Sequence, residues 1–225
     1  MEFIWVPAGV FYQGGNSGNG SSPMRKVRIS PGFWLGKFEV TQAQWSRVMG
    51  SNPSMFKGAA RPVEGISWSD ANRYCKELTR RRSAVFRLPT EAEWEYACKL
   101  GAIAESGENV DSSELLAYNW VAENSGNSTH PVGTRKSDSF GFYDLGGNVY
   151  EWCLDTYRAY DDKARENPVV LPEKAVSDKV CRGGGYDCTV SLTLPDYRMY
   201  HGVNARISRV GMRVLMEAGK RGGHL

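Results

Sequence analysis

The chain lacks any long apolar run and any strong bias of charge. Among its 225 residues no stretch is apolar for long enough to cross a bilayer as a helix, and no signal peptide is evident. The formal net charge of +3 is small, which argues against nucleic acid as an obligate partner. The sequence therefore predicts a chain without a transmembrane segment. Its localisation stays open, and display at a cell surface is possible if a leader or a lipid anchor was removed from the chain.

Cysteine and histidine are scarce as well. The five cysteines show no CxxC zinc pattern and lie far apart, at positions 75, 98, 153, 181 and 188. Because their number is odd, at least one is unpaired in a monomer, which favours a reducing compartment or a chemical role. Repeats, low-complexity blocks and domain-boundary signals are absent too. We therefore expect one domain over residues 1–225, and a monomer.

Capping residues mark helices in the first half of the chain. Thr41 and Gln44 have the spacing of a capping box, and Gly50 ends the helix that follows. A second helix is predicted after Ser67, and the basic run at residues 80–82 ends it. Its buried face consists of four residues at helical spacing, Ala71, Tyr74, Cys75 and Leu78.

A third helix begins near residue 90, with a capping box at residues 90–93 and acidic residues at the positive end of its dipole. Its inward face consists of Trp94, Ala97 and Cys98. Residues 3–7 are typical of a first strand, and residues 14–22 of a flexible loop of Gly, Asn and Ser. Helix signals vanish beyond residue 100, where short apolar pieces alternate with turn residues. The pattern predicts an irregular α+β fold.

Residues 141–152, with the sequence GFYDLGGNVYEW, combine glycines, carboxylates and aromatic side chains. Calcium takes six to eight oxygen ligands from carboxylates, amides and backbone carbonyls. Asp144 and Glu151 could supply carboxylates, with the carbonyls of Gly147 and Val149 between them. The alternative is a tight glycine-rich turn between strands, and the residues alone leave both interpretations open.

Several motifs resemble those of the formylglycine-generating, sulfatase-modifying family. Residues 87–97 read RLPTEAEWEYA, the family's signature, and residues 141–152 match its GLYDMxGNVWEW segment. Further matches follow in the family's order at residues 39–42, 62–68, 182–184 and 210–213. The resemblance covers roughly residues 2 to 215 and implies an irregular variant of the C-type lectin fold, with little regular secondary structure.

The same resemblance implies calcium as a structural cofactor. It places a first ion on Asp144, the carbonyls of Gly147 and Val149, and Glu151. A second ion would fall on four further positions, Asn119, the Trp120 carbonyl, Asn124 and the Gly126 carbonyl. At Asn124 the family's acidic ligand is replaced by an amide, which removes a charge from that second site.

The resemblance also bears on catalysis. Oxidase members bind Cu(I) through two cysteines, five residues apart, just after the Arg-Gly-Gly segment, because soft thiolates prefer that ion. Cys188 matches the first cysteine, whereas the second falls on Thr193, and Gly185 replaces the usual serine. One thiolate and one hydroxyl cannot form a linear two-sulfur copper site. The three histidines are too scattered for the His-rich helical domain of the related sulfoxide synthases, and Cys188 is more typical of a packed or disulfide cysteine than of a nucleophile.

The segment 182–210 has a biased composition. It contains no Lys, Glu, Gln or Trp and a single Met, although these five types make up 37 of residues 1–181. The remaining fifteen types are those reached from an AAY codon when its adenines are randomised. This bias resembles the variable proteins of diversity-generating retroelements, several of which have this fold and vary in this segment. Two simpler causes of the bias stay open: the family's tail is rich in Arg, Asn and Ser, and a partly buried segment would also lack Lys and Glu.

Three functions follow as hypotheses. The first is a non-catalytic protein whose diversified C-terminal surface binds a protein or another macromolecule. The second is a copper- and oxygen-dependent oxidase or related enzyme that uses Cys188, and the third is a non-catalytic paralogue that binds sulfatases or other peptides. For the first, tyrosines would supply rigid contact area and small polar residues adaptable contacts. We expect twelve side chains to share one solvent-exposed face: Tyr186, Asp187, Thr189, Ser191, Leu192, Thr193, Asp196, Tyr200, His201, Asn204, Ile207 and Ser208.

Overall fold

The computed structural model describes residues 1–101, 112–172 and 177–219. Three α-helices lie in the first half of the chain, α1 (Gln42–Met49), α2 (Trp68–Arg80) and α3 (Glu91–Gly101), and the short α4 (Ser112–Leu115) lies at its middle. Within the described ranges, no helix is long and apolar enough to cross a membrane. The expectation that helices end near residue 100 is wrong for α4 and for a 3₁₀ turn at Val190–Thr193.

The predicted helix ends are confirmed. At α1 the Gln44 backbone N–H donates to Thr41 Oγ1 at 3.2 Å, and the Thr41 N–H donates to Gln44 Oε1 at 3.1 Å. Gly50 ends α1 with a left-handed φ of 77°. The same reciprocal pair joins Ser67 and Asp70 at the start of α2. These bonds satisfy N–H groups that have no partner within the helix.

The strands form three small sheets in the described part of the chain. In chain order they are β1 (Phe3–Val6), β2 (Gly9–Gln13), β3 (Arg25–Ile29), β4 (Phe33–Gly36), β5 (Phe86–Arg87), β6 (Tyr150–Thr156), β7 (Arg165–Glu166), β8 (Asp178–Arg182), β9 (Met199–Gly202), β10 (Val210–Gly211) and β11 (Leu215–Glu217). The sheet orders are β1-β4-β11-β5, β10-β6-β8-β9 and β2-β3-β7. Because β11 pairs with β4, the last strand closes onto the first sheet.

Helix α3 is buried on all sides between the sheets. The face predicted to point inward does so, with Trp94, Ala97 and Cys98 in the core. Glu91 and Glu95 are buried as well, because buried arginines from the C-terminal segment neutralise them. Arg198 Nε donates to Glu91 Oε1 at 2.6 Å, and Arg182 Nη2 donates to Glu95 Oε2. The acidic residues of this helix therefore do more than favour its dipole: they tie the C-terminal segment to the core.

Candidate functional site

The glycine-rich loop at residues 141–152 leads into β6 and is packed against the turn around Trp120. Asp144, Gly147 and Asn148 have left-handed φ angles of 54°, 77° and 57°. A Cβ on Gly147 would lie 2.3 Å from the Trp120 carbonyl oxygen, so only glycine fits there. The Asn148 N–H donates to that same oxygen at 2.7 Å. The loop is therefore held in one conformation by backbone contacts.

Asp144 is the carboxylate in this loop that has an unused oxygen. Its Oδ2 accepts from the Gly133 N–H at 2.7 Å, whereas its buried Oδ1 has no hydrogen-bond partner among the described residues. Burial raises the pKa of Asp144 to about 6. A buried acceptor without a partner is destabilising, and a bound cation would satisfy it. Asp144 thus fits the calcium site predicted from the sequence.

Glu151 is already neutralised by Arg213. Arg213 Nη2 lies 2.8 Å from Glu151 Oε1, and Trp94 Nε1 donates to Oε2 at 2.7 Å. Both the Glu151 and Arg213 side chains are fully buried. A calcium ion here would have to share the Glu151 oxygens with a guanidinium. The predicted set of Asp144, Gly147, Val149 and Glu151 therefore stays a prediction, with Asp144 its best-fitting member.

Glu39 is a neighbour of this loop that the sequence did not single out as a site residue. Its carboxylate accepts from Asn148 Nδ2 at 2.7 Å and from the Val149 N–H at 3.1 Å. Burial, with the Asp144 carboxylate nearby, holds the pKa of Glu39 well above its usual range. Only its place in the matched motif at residues 39–42 could have drawn attention to it.

The second predicted calcium site lies in the turn at residues 119–126. Asn124 Oδ1 accepts from the Val121 N–H at 2.9 Å, and its Nδ2 donates to the Asn119 carbonyl at 2.9 Å. These side-chain bonds stabilise the turn itself. No group of three His, Cys, Asp or Glu in the described ranges could hold a metal ion. The ligand set Asn119, Trp120, Asn124 and Gly126 stays a prediction.

Cys188 and Thr193 flank the same glycine, as the resemblance implies for the two catalytic positions. A Cβ on Gly184 would lie 2.9 Å from Thr193 Cγ2 and 3.1 Å from Cys188 Sγ. Thr193 Oγ1 donates to the Val190 carbonyl at 2.7 Å and accepts from Asn119 Nδ2 at 3.0 Å. The hydroxyl thus both donates and accepts a hydrogen bond within the protein.

The Cys188 thiol is packed rather than activated. Its Sγ lies 3.1 Å from both the N–H and the carbonyl oxygen of Gly185. Burial raises the pKa of Cys188, so the thiol stays protonated near neutral pH. All five cysteines fall within the described ranges, and all are buried and free. The interpretation of Cys188 as a packed cysteine agrees with this geometry, and no disulfide forms.

A small cavity adjoins these two regions. It has a volume of about 60 Å³, and Asn119, Asp144, Gly146 and Thr193 are among its lining residues. That volume suits a few water molecules or an ion, whereas sites for organic molecules usually measure about 300–1,000 Å³.

The twelve side chains expected on one exposed face are divided by the fold. Five are exposed: Asp187, Thr189, Ser191, Tyr200 and Asn204. Four are half-buried: Leu192, His201, Ile207 and Ser208. The expectation of exposure is wrong for three, Tyr186, Thr193 and Asp196, which are 6%, 5% and 0% exposed. Tyr186 packs edge-on against the Phe56 ring at 5.1 Å, Thr193 completes the 3₁₀ turn, and Asp196 accepts hydrogen bonds from Ser17.

The expectation of a single face is also wrong. Tyr200 and His201 are consecutive residues of β9, opposite Val180 and Lys179 of β8. Successive side chains of a strand point to opposite faces of the sheet. Tyr200 accordingly contacts Tyr157, with ring centroids 4.2 Å apart, whereas His201 lies edge-on to Trp152 on the other side.

Comparison with known proteins identifies the relationship. The family described as the sulfatase-modifying factor enzyme 1-like domain matches residues 1–218. The chain belongs to this family. The α+β fold predicted from the resemblance, of the irregular C-type lectin type, is confirmed by the structure and its neighbours.

The relatives of this family member carry different names. The chaperone protein LppX of Paenibacillus barcinonensis is 32% identical, over 95% of this chain and 89% of the relative. The formylglycine-generating enzyme of Streptomyces coelicolor is 34% identical, over 69% of this chain and 51% of that enzyme. The chain thus spans about half the length of that enzyme.

Among solved structures, Treponema denticola variable protein 1 superimposes with a TM-score of 0.87. It is 27% identical, and the match covers 96% of this chain and 95% of that protein. PvdO from Pseudomonas aeruginosa has a TM-score of 0.83 at 21% identity, with 96% and 94% covered, and it shows the shared fold alone. This member of the family therefore has structural counterparts of its own length, whereas its formylglycine-generating relatives extend beyond it.

Proposed function

We propose that this protein is a non-catalytic binding protein whose C-terminal segment recognises another protein. The observation that carries the proposal is that Cys188 is accompanied by Thr193 rather than by a second cysteine. The resemblance assigns Thr193 to the position of the second thiolate of oxidase members, and its hydroxyl donates to the Val190 carbonyl and accepts from Asn119 Nδ2. Two soft sulfur ligands are what Cu(I) requires, and this position offers one protonated thiol and a hydroxyl.

The residues offered for binding are the nine exposed and half-buried ones in the segment 187–208, among which Tyr200 and His201 point to opposite faces of β9. They combine an exposed tyrosine with small polar side chains, as protein-binding surfaces of antibodies do. The buried Arg182 and Arg198 ion pairs anchor the segment to α3, so its backbone is held before a partner arrives. Such pre-ordering lowers the entropic cost of association.

Two relatives support a protein partner. LppX, similar over nearly its whole length, is named a chaperone, and the Treponema denticola structure is named a variable protein. A diversified surface on a constant scaffold would explain why segment 182–210 lacks Lys, Glu, Gln and Trp. Calcium bound at Asp144 would stabilise the segment that contains Thr193, because Asp144 and Thr193 line the same cavity.

Two libraries displayed on yeast test the proposal. The first randomises the nine accessible positions, and the second randomises the buried Tyr186, Thr193 and Asp196. Folding is scored by protease resistance, and binding is scored with purified lysozyme as a test target. We expect most members of the first library to fold, because a surface substitution usually changes stability by about 0.5 kcal/mol or less, so that nine together cost at most about 4–5 kcal/mol. Members that keep an apolar residue at position 207, which packs against the core, should be enriched among the folded ones. We also expect the first library to yield lysozyme binders, and most of the second to fail to fold.

Failure of the first library to fold, or an absence of binders among its folded members, would exclude a diversified surface here. The second library is the matched control, because it lies in the same segment and differs in burial.

A further inference from the structure

The three arginines of the basic run at residues 80–82 have different environments. Arg80 pairs with Glu77 at 2.8 Å on the exposed side of α2. Arg81 reaches across to α1, where it donates to two carbonyls of the last turn at 3.2 and 2.9 Å. A cation at this end of α1 complements the helix dipole and joins the two helices. Arg82 has neither kind of contact among the described residues, so its charge is uncompensated.

A cavity of about 350 Å³ lies beside this junction, between α1, α2 and the strands β1 and β5. Phe3 and Phe86 line it from the two strands, with ring centroids 6.0 Å apart. Val48 and Leu78 add apolar side chains from the two helices. Sites for organic molecules usually measure about 300–1,000 Å³ and have mainly apolar and aromatic walls. This α1–α2 cavity therefore has the size and the walls of a small-molecule site.

Two arginines give the α1–α2 cavity a positive charge. Arg47, in the last turn of α1, and Arg82 both line it and are exposed to solvent. Neither guanidinium donates a hydrogen bond or forms an ion pair within the described ranges, and no Asp or Glu of those ranges lines the cavity. Two uncompensated cations beside apolar walls favour an anionic ligand. The planar guanidinium matches a carboxylate in shape, so a carboxylate is the anion that this pair suits.

Tyr74 adds an unused hydrogen-bond donor. Its side chain is fully buried, lines the same cavity and is stacked on the Trp45 indole, with ring centroids 5.1 Å apart. Burial raises the pKa of Tyr74, so the hydroxyl keeps its proton. That hydroxyl has no hydrogen-bond partner among the described residues. A buried donor without an acceptor is destabilising, and an oxygen atom of a bound molecule would supply one.

The cavity walls are fixed by the packing of the two helices. Residues three and four apart on a helix share one face. The lining residues of the helices have this spacing: Gln44, Arg47 and Val48 on α1, and Tyr74 and Leu78 on α2. The Arg81 hydrogen bonds and the stacked aromatic pair hold these two faces together. A ligand would therefore meet walls that are already ordered, which lowers the entropic cost of binding.

We propose that the α1–α2 cavity binds a small aromatic carboxylate, with the carboxylate on Arg47 and Arg82 and the apolar body against Phe3 and Phe86. None of the lining residues belongs to segment 187–208. The site is thus separate from the residues offered for protein binding, and the protein would hold this ligand whether or not that segment binds a partner.

Naproxen is a suitable probe, because it combines a naphthalene body with one carboxylate and an ether oxygen. Its primary amide is the matched control compound, with nearly the same shape and no charge. Isothermal titration calorimetry with the whole chain at neutral pH measures both. An exposed ion pair strengthens binding by up to about fivefold, so two of them should make naproxen about tenfold tighter than the amide.

Substitutions locate the carboxylate. Arg47→Gln and Arg82→Gln should each weaken the Kd for naproxen by about three- to fivefold and leave the Kd for the amide unchanged. Lys76→Gln is the matched control, because it removes a positive charge from an exposed position of α2 that does not line the cavity. It should leave both Kd values unchanged. All three positions are exposed, so these variants should keep the urea midpoint of the unaltered protein.

A fourth variant locates the apolar body. Val48→Trp places a larger side chain in the cavity, so it should abolish binding of both compounds while the protein still unfolds cooperatively in urea. The proposal is overturned if the unaltered protein shows no saturable binding of naproxen at millimolar concentration, or if naproxen binds no more tightly than its amide. It is also overturned if Lys76→Gln weakens naproxen binding as much as the two arginine variants do, because the charge would then act from a distance. Retained binding in a folded Val48→Trp protein would show that the ligand lies elsewhere.

Discussion

Replacing Glu95 by Gln would remove a charge from the centre of a buried ion cluster. Glu95 and Arg182 are both fully buried and paired, and Lys99 Nζ lies 2.9 Å from Glu95 Oε1. The other carboxylate near Arg182 is Glu91, at 3.7 Å, and it pairs with Arg198 at 2.6 Å. Without the Glu95 charge, the buried Arg182 and Arg198 would share the Glu91 carboxylate as their counter-ion.

The loss should be large. Removing one partner of a buried ion pair costs about 3–5 kcal/mol, because the remaining charge is left uncompensated away from water. With a urea m-value of about 3 kcal/mol/M, at the upper end for single domains, the unfolding midpoint should fall by about 1–1.7 M. Glu77→Gln is the matched control. Glu77 pairs with the exposed Arg80 on α2, so its replacement should leave the midpoint unchanged within error.

A double mutant separates the ion pair from the rest of the cluster. Arg182→Met combined with Glu95→Gln should be less destabilising than the sum of the two single changes, because no uncompensated charge remains between them. Urea unfolding followed by tryptophan fluorescence measures the unaltered protein, the two single mutants, the double mutant and the Glu77→Gln control. A midpoint for Glu95→Gln no lower than that of Glu77→Gln, or strict additivity in the double mutant, would refute the role assigned to this pair.

Three further predictions concern the site and its surroundings. With Cu(I) and oxygen the protein should not convert a cysteine-containing sulfatase peptide to formylglycine. Thr193→Cys should gain Cu(I) binding, and a further Cys188→Ala should remove it. Product that is formed by the unaltered protein and lost in Cys188→Ala would contradict this prediction. A calcium chelator should lower the Tm of the protein but not that of Asp144→Asn, because a ligand bound only to the native state stabilises it; an unchanged Tm would exclude the site. Burial, with the Glu91 carboxylate nearby, raises the pKa of Asp155 to about 7, so its stabilising contribution is complete below its unfolded pKa and is lost as the pH rises through 7. Relative to Asp155→Asn, the unaltered protein should therefore lose about 2–3 kcal/mol of unfolding free energy as the pH rises from 5 to 8, as measured by urea unfolding. A difference that does not change with pH would show that Asp155 does not titrate in this range.

The helices of the first half were predictable because their signals are local. Thr41 with Gln44, and Ser67 with Asp70, are separated by three residues, so each capping box forms within one turn of chain. Gly50 ends α1 for the same reason, since its left-handed conformation depends on its own backbone. The family was likewise readable from motifs in order along the chain, and with it the fold, although the short strands carry little periodicity of their own.

The site depended on contacts between distant segments. Cys188 and Thr193 could be matched by position. The protonated thiol follows from burial, and the hydrogen-bonded hydroxyl depends on Asn119, 74 residues away in sequence. Asp196 looked like a contact residue because it is polar and lies in the biased segment. It is instead fully buried beneath Ser17, a partner 179 residues away in sequence.

The sequence by itself determined the three main helices, the family and the presence of Thr193 where the resemblance expects a second cysteine, because each rests on residues close together in the chain or on positions in a motif. The tertiary structure alone decided which polar groups are buried and that Tyr200 and His201 lie on opposite sides of β9. The physical reason is the same in each case. Burial and charge compensation depend on every part of the chain that packs around a group. The Glu95 carboxylate accepts hydrogen bonds from the Gly14 N–H and from Arg182, which come from the N-terminal and C-terminal parts of the chain.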